Sequence, residues 1–353
     1  GNDIIKGFAS ADTIDGGAGF DSLILTATSA TLNSATNIQL SNVEAISATT
    51  STLGVNITLA SQTEGFLVIG SNYSDTLKGG SGADSISGFN GSDFVDGGKG
   101  VDTLFLQASS ANLNGADDAQ IMNVEAISAI NATAGVTIIL VNQSEGFSVT
   151  GGAYADQLTG TAQEDIFVGF AGADTINGGA SFDTIQLTAT STNLNKATNA
   201  QIINVEKISA AAATAGVLID VSRQTERLQI IGGSGDDSLI GGAGSDNLTG
   251  GAGADHFIFN GPVAANSSDM ITDFTPTVDS LDLNHAAFTA LGSVGQLQAG
   301  TFWSSPNDTS AHSADDRLIY NTTTGALYYD ADGQDGVAAI QIASFINHPQ
   351  LTS

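Results

Sequence analysis

Large apolar residues recur at every ninth position along four stretches of this chain, each two places after an aspartate. The apolar members are Ile5, Ile14 and Leu23; Leu77, Ile86, Val95 and Leu104; Leu158, Phe167, Ile176 and Ile185; and Leu239, Leu248 and Phe257. Their aspartates are Asp3, Asp12 and Asp21; Asp75, Asp84, Asp93 and Asp102; Asp156, Asp165, Asp174 and Asp183; and Asp237, Asp246 and Asp255. Two spacings held in phase this long are hard to obtain by chance. The three residues after each aspartate predict a very short strand whose middle side chain points inward. Nine residues then make half a coil, and strands a full coil apart stack in parallel at roughly 4.8 Å.

Between these stretches the texture changes. Short β-branched runs such as 43–46, 55–59 and 66–69 are separated by Gly, Ser, Thr and Asn, at a spacing close to half a coil. They predict a continuation of the same solenoid with wider coils. The segment 30–41, with Leu32, Ile38 and Leu40, reads as a lateral bulge, open between a loop and one or two helical turns. The pattern also has a longer period. Gly1 to Phe8 aligns with Gly82 to Phe89, a shift of 81 residues, and the same shift carries Asn42-Val43-Glu44 to Asn123-Val124-Glu125 and then to Asn204-Val205-Glu206. No insertion interrupts it, so the chain is a tandem array that starts inside one copy. This reads as a fragment of a longer protein.

The predicted fold is all-β, a right-handed parallel β-roll or β-solenoid with a C-terminal β-rich cap. Residues 1–24 form a partial nonapeptide block, 25–69 a spacer, 70–105 a block, 106–150 a spacer, 151–186 a block, 187–231 a spacer and 232–260 the last block. Residues 261–353 form the C-terminal cap. All four prolines, Pro262, Pro276, Pro306 and Pro349, and the single Trp303 lie beyond Asn260. Proline removes a ladder donor, so the solenoid is expected to stop near there. An open solenoid end needs a cap, and 317–330 reads as a β-hairpin with a Thr-Gly turn.

Candidate chemistry lies in the turns. The clearest stretch, 232–257, reads GGSGDDSLI, GGAGSDNLT, GGAGADHF. Gly-rich hexads turn through φ > 0 and expose carbonyl oxygens, and the aspartate adds a carboxylate. Calcium takes six to eight hard oxygen ligands at about 2.3–2.6 Å, more than one turn supplies and as many as two stacked turns supply. The candidate ligands are the fourteen aspartates above with the carbonyls of Gly16, Gly17, Gly19, Gly79, Gly80, Gly82, Gly97, Gly98, Gly100, Gly232, Gly233, Gly235, Gly241, Gly242, Gly244, Gly250, Gly251 and Gly253. The turns before Asp75, Asp156 and Asp165 keep the aspartate but lose the fourth glycine, leaving weak binding and mere coil closure equally open. Glu44, Glu125 and Glu206 are read as outward-facing strand residues in preference to calcium ligands.

Composition narrows the partners. The 353 residues carry 37 acidic and 8 basic side chains, a formal charge of −29, and 43 glycines. That charge disfavours nucleic acid and anionic membranes and favours a multivalent cation. With no cysteine, disulfides and thiolate zinc sites are excluded. No apolar run reaches transmembrane length. His256, His285, His312 and His348 lack metal-ligand spacing, and no Gly-x-Ser-x-Gly elbow occurs. Gly97-Gly98-Lys99-Gly100 lacks the Ser/Thr of a phosphate loop. Residues 330–336 imitate an EF-hand start, but Gln334 and Gln341 hold ligand places, which favours a hairpin turn.

The nonapeptides, with the Asp-x-Ile-x-Asp-Phe stretch at 269–274 and Asn-Thr-Thr-Thr-Gly-Ala-Leu-Tyr-Tyr-Asp at 321–330, resemble the C-terminal region of RTX proteins exported by type I secretion from Gram-negative bacteria. The resemblance implies that aspartates eighteen residues apart share each calcium ion: Asp3 with Asp21, Asp75 with Asp93, Asp84 with Asp102, Asp156 with Asp174, Asp165 with Asp183, and Asp237 with Asp255. Asp12 and Asp246 would rely on carbonyls or block-end neighbours. It further implies that 261–353 holds the type I secretion region, that the chain is exported unfolded by the type I machinery, and that calcium drives its folding outside the cell. The expectation is a non-enzymatic extracellular structural protein of the surface-layer or adhesin type, with itself or the cell surface as partner. The alternative is the secretion and folding module of a larger exoenzyme.

Overall fold

The computed structural model describes residues 1–10, 12–261, 267–298, 300–334 and 336–352; Pro262, Asp335 and Ser353 lie outside the described residues. The chain divides into two compact units, Gly1–Asp183 and Thr184–Ser353.

Both units are parallel β-solenoids. In the first, one ladder runs Ile5, Leu23, Ile46, Val68, Ile86, Leu104, Ile127, Val149, Phe167, each the middle residue of a three-residue strand. Opposite it, Ile57, Leu77, Val95 and Ile121 form one ladder, and Ile138, Leu158 and Ile176 another. The middle side chains from Leu23 to Phe167 are fully buried, so period-2 alternation places one apolar residue per strand in the core. Spacer strands such as Ala45–Ser47, Asn56–Thr58 and Leu67–Ile69 belong to these ladders, as the texture of the spacers predicts. Leu23 and its copy Leu104 are four rungs apart in one ladder. The 81-residue repeat is therefore four whole coils, and successive copies present the same face.

The lateral bulge is a single turn in each copy: 3-10 turns at Leu32–Ser34 and Leu194–Lys196, and a short α-helix at Ala111–Gly115. Leu32, Leu113 and Leu194 anchor these turns in the core, while Ile38 points outward.

In the second unit Ile185, Ile208, Ile230, Leu248 and Ile271 form one ladder, and Ile219, Leu239, Phe257 and Leu281 the other. The stop expected near Asn260 is thus corrected: Asp269–Ile271 and Ser280–Leu283 add a further coil. Pro276 and Pro306 fall in turns between strands, where the missing N–H costs no ladder bond. The cap then closes the end. Strand Ile340–Phe345 runs parallel to Asp269–Ile271 and antiparallel to Ala326–Tyr329, which forms the expected hairpin with Leu318–Asn321. Phe274 and Phe345 meet edge to face at 5.2 Å, with Phe257 and Tyr320 on either side at 5.9 Å. Residues 330–334 form a turn, the Asp330 carboxylate accepting from the Asp332 and Gly333 N–H groups.

Candidate metal-binding turns

Stacking the coils in register stacks the aspartates. The backbone N–H of each aspartate donates to Oδ1 of the aspartate eighteen residues later: Asp3 to Asp21 (2.6 Å), Asp75 to Asp93 (2.7 Å), Asp84 to Asp102 (2.7 Å), Asp156 to Asp174 (2.9 Å), Asp165 to Asp183 (2.8 Å) and Asp237 to Asp255 (2.9 Å). These are the six pairs that the resemblance implies. Apart from Asp3, all of them are buried. Asp12 is exposed and accepts only a local bond from Ala9 N–H.

Beside each column the first glycine of the turn leaves a space that oxygens fill. A β-carbon at Gly79 would lie 2.1 Å from the Gly97 carbonyl oxygen and 2.3 Å from Asp84 Oδ2, and one at Gly232 would lie 2.3 Å from both Gly250 O and Asp237 Oδ2. A carbonyl and a carboxylate oxygen from two successive coils thus converge on a cradle that only glycine keeps open. Hard oxygen donors drawn from two coils suit calcium. Among the described residues no three His, Cys, Asp or Glu side chains group around one metal position, so carbonyls must complete each ligand set.

The remaining glycines serve two purposes, which corrects the expectation that every turn passes through φ > 0. Gly17, Gly19, Gly98, Gly100, Gly251 and Gly253 have positive φ, whereas Gly80, Gly82, Gly233, Gly235, Gly242 and Gly244 do not. The second group is required by close approach: a β-carbon at Gly82 would lie 2.4 Å from the carbonyl carbon of Glu64, and one at Gly244 2.3 Å from Glu226 O. Two of the three degenerate turns carry a hydroxyl residue in place of the second glycine. Ser71 donates its N–H and Oγ to Asp75, and Thr161 does the same for Asp165. Protons there occupy lone pairs that a cation would use.

Without a cation the columns are electrostatically unfavourable. Burial, with the neighbouring carboxylate adding, pushes Asp93, Asp102 and Asp174 up to about 6. Burial also raises Asp84, Asp165, Asp246 and Asp255. Asp96 goes the other way, because hydrogen bonds from Lys78 and Asn123 outweigh its burial.

A family model described as the RTX calcium-binding nonapeptide repeat matches four copies in this chain, at residues 1–23, 69–104, 150–185 and 229–260. This is an RTX calcium-binding protein. A comparison with curated proteins gives no match. The RTX aspartates and first-glycine cradles above are the groups that would hold calcium, and the ion would supply the positive charge the columns lack.

Four carboxylates outside the RTX nonapeptides join these columns. Asp21 N–H donates to Glu44 Oε2 at 2.6 Å and Asp102 N–H to Glu125 Oε2 at 2.7 Å. The reading of these glutamates as outward-facing is therefore corrected; both precede their strands and reach back to the aspartate column. Asp246, expected to rely on a block-end neighbour, donates to Asp269 Oδ1 at 3.0 Å, again 23 residues on. Burial raises Asp269 to about 8. Asp255 likewise donates to Asp279 Oδ1 at 3.0 Å. The shared 23-residue step was the sequence signal for Glu44, Glu125 and Asp269. Nothing in the nonapeptide phase marks Gln62, Gln143 and Gln224, buried amides that each donate to a carbonyl 27 residues earlier.

Proposed function

We propose that this RTX protein is a non-catalytic, extracellular structural element of the surface-layer or adhesin type, exported unfolded by type I secretion and folded outside by calcium. One observation carries the structural-element reading: in the first unit the 81-residue repeat closes on four whole coils, so its copies there repeat one face with no insertion. A surface repeated in this way makes regular self-association or regular display at the cell surface geometrically simple. Within the nonapeptide blocks most half coils bury a single sizeable apolar side chain, while buried carboxylates stand in columns. Ligand binding then supplies folding free energy. Low cytosolic and high external calcium would place that folding after export. Among the described residues no helix is long and apolar enough to cross a membrane.

Electron microscopy of the purified chain with millimolar calcium, beside a chelated control, tests the assembly reading. Ordered sheets or filaments that form only with calcium are the expected result. Dispersed particles under both conditions overturn self-assembly by this chain.

A further inference from the structure

The last full turn of a block differs from the turns before it. In the turns at Asp84, Asp237 and Asp246, the second glycine's N–H donates to the aspartate's Oδ2, at 2.7, 2.5 and 2.6 Å. At Asp21 and Asp102 it does not. Gly17 and Gly98 sit at positive φ, and their N–H groups go to Oδ1 of Asp15 and Asp96, each at 3.1 Å. Asp21 and Asp102 are 0% and 1% exposed, yet their Oδ2 atoms have no hydrogen-bond partner. A bare carboxylate oxygen in the interior is strongly unfavourable unless something charged answers it.

What faces that oxygen is not another nonapeptide. A β-carbon at Gly97 would lie 1.9 Å from the Asn123 carbonyl oxygen and 2.6 Å from Asp102 Oδ2; at Gly16 the corresponding distances are 2.0 Å to Asn42 O and 2.8 Å to Asp21 Oδ2. In the interior of the block the same cradle is filled by Gly97 O and Asp84 Oδ2. Asn123 therefore stands where the next coil's first glycine would stand, and Glu125 accepts the Asp102 N–H where the next coil's aspartate would. The Asn-Val-Glu motif does in three residues what Gly-Gly-x-Gly-x-Asp does in six. Glutamate's extra methylene reaches the column, and Asn42 and Asn123 take the φ of +50° that the contraction demands. Their side-chain amides bond to Asp15 and Asp96, both at 2.7 Å, holding the carbonyls in place.

The geometry points to a further calcium site at the end of each such block, formed by Asp21 with Asn42 O and the Glu44 carboxylate, and by Asp102 with Asn123 O and the Glu125 carboxylate. It takes a hard divalent cation of calcium's size, because every donor is oxygen. Half of each ligand set lies in the spacer, outside the residues that match the repeat. Calcium there fastens the wide spacer coil to the block. This inference rests on the calcium reading of the ordinary turns.

The test is the number of calcium ions bound by the full chain, measured by native mass spectrometry and calorimetry, for wild type and for Glu44→Gln with Glu125→Gln. A glutamine oxygen still accepts the Asp21 or Asp102 N–H, so a purely structural glutamate would leave the count unchanged. The expected result is the loss of one ion per substituted site, with β-content retained at saturating calcium. An unchanged count overturns the block-end sites and leaves the ordinary ones standing; a wild type that binds no calcium overturns the underlying reading instead. If the double variant does not fold, anomalous scattering from calcium-loaded wild-type crystals decides, with a peak between Asp102 Oδ2 and Asn123 O expected and its absence fatal to the site.

Discussion

Glycines in this protein differ in what a side chain would meet, and substitution separates them. At Gly82 the position of a β-carbon is occupied by the Glu64 carbonyl group, 2.4 Å to carbon and 2.5 Å to oxygen. Backbone cannot yield as a side-chain tip can, so Gly82→Ala should force the coils apart and cost about 1–3 kcal/mol or more. Gly115 has nothing within 4 Å of such a carbon and ends the short helix Ala111–Gly115. Gly115→Ala should be neutral or stabilising by roughly 0.4–1 kcal/mol, because it restricts the unfolded chain. Thermal melts at saturating calcium check both; equal effects would show that close coil contact is not what Gly82 serves. The aspartate pairs were legible in the sequence because a coil of constant length turns spacing directly into register. Glu44, Glu125 and Asp269 were not, since the wider coil shifts them out of the nine-residue phase, and a spacing of 23 recurs too rarely to stand out. The hydroxyls of Ser71 and Thr161 were hidden for another reason: a missing glycine says what a turn has lost, and not what replaces it.

At the scale of the element, the strands were readable and their edges were not. One apolar residue per strand, flanked by turn formers, predicts each rung, and the ladders hold from nonapeptides into spacers without a break in register. The bulge was readable only as a bulge, because three or four residues carry too little periodicity to separate one helical turn from a loop. Its purpose comes from a single side chain. Asn33 donates to Asn56 O at 3.0 Å and accepts from Thr58 N–H at 2.9 Å; Asn114 does the same to Thr137 O (3.2 Å) and Ile139 N–H (2.9 Å), and Asn195 to Leu218 O and Asp220 N–H, both at 3.0 Å. Strands Asn56–Thr58, Thr137–Ile139 and Leu218–Asp220 stand at the ends of their ladders. The asparagine amide, a peptide group on a side chain, stands in for the missing neighbour and blunts an edge that would otherwise pair with another chain. Asn114→Ala leaves a donor and an acceptor of Thr137–Ile139 unmatched and should cost about 1–3 kcal/mol, seen as a lower melting temperature at saturating calcium. Asn33→Ala and Asn195→Ala should cost similar amounts, because each repeats the same contact. A variant that melts with wild type would mean that water already serves those groups.

For the molecule as a whole, the buried columns set an unusual dependence on pH. In the metal-free fold Asp93, Asp102 and Asp174 are raised from 3.8 to about 6, and Asp269 to about 8. A carboxyl with a folded pKa above its unfolded value binds more protons in the folded state across the interval between the two. Its favourable contribution is complete below about 4 and is lost as pH rises through about 6, or about 8 for Asp269. Calcium-free protein, largely unfolded near pH 8, should therefore gain folded structure near pH 5. Calcium reverses the sense, because its carboxylate ligands must be deprotonated, so apparent affinity falls as pH drops through about 6. The folded fraction by circular dichroism across this range, in calcium-stripped buffer and in subsaturating calcium, should have slopes of opposite sign against pH. The overall charge of −29 at pH 7 also shrinks towards the isoelectric point near 4.1, which relieves surface repulsion in the same direction. High salt separates the two effects: at 1 M the screening length is about 3 Å, enough to quench surface repulsion but far less effective on buried pairs. A calcium-free slope that vanishes in 1 M salt would assign the pH dependence to the surface, whereas one that persists belongs to the aspartate columns that calcium neutralises.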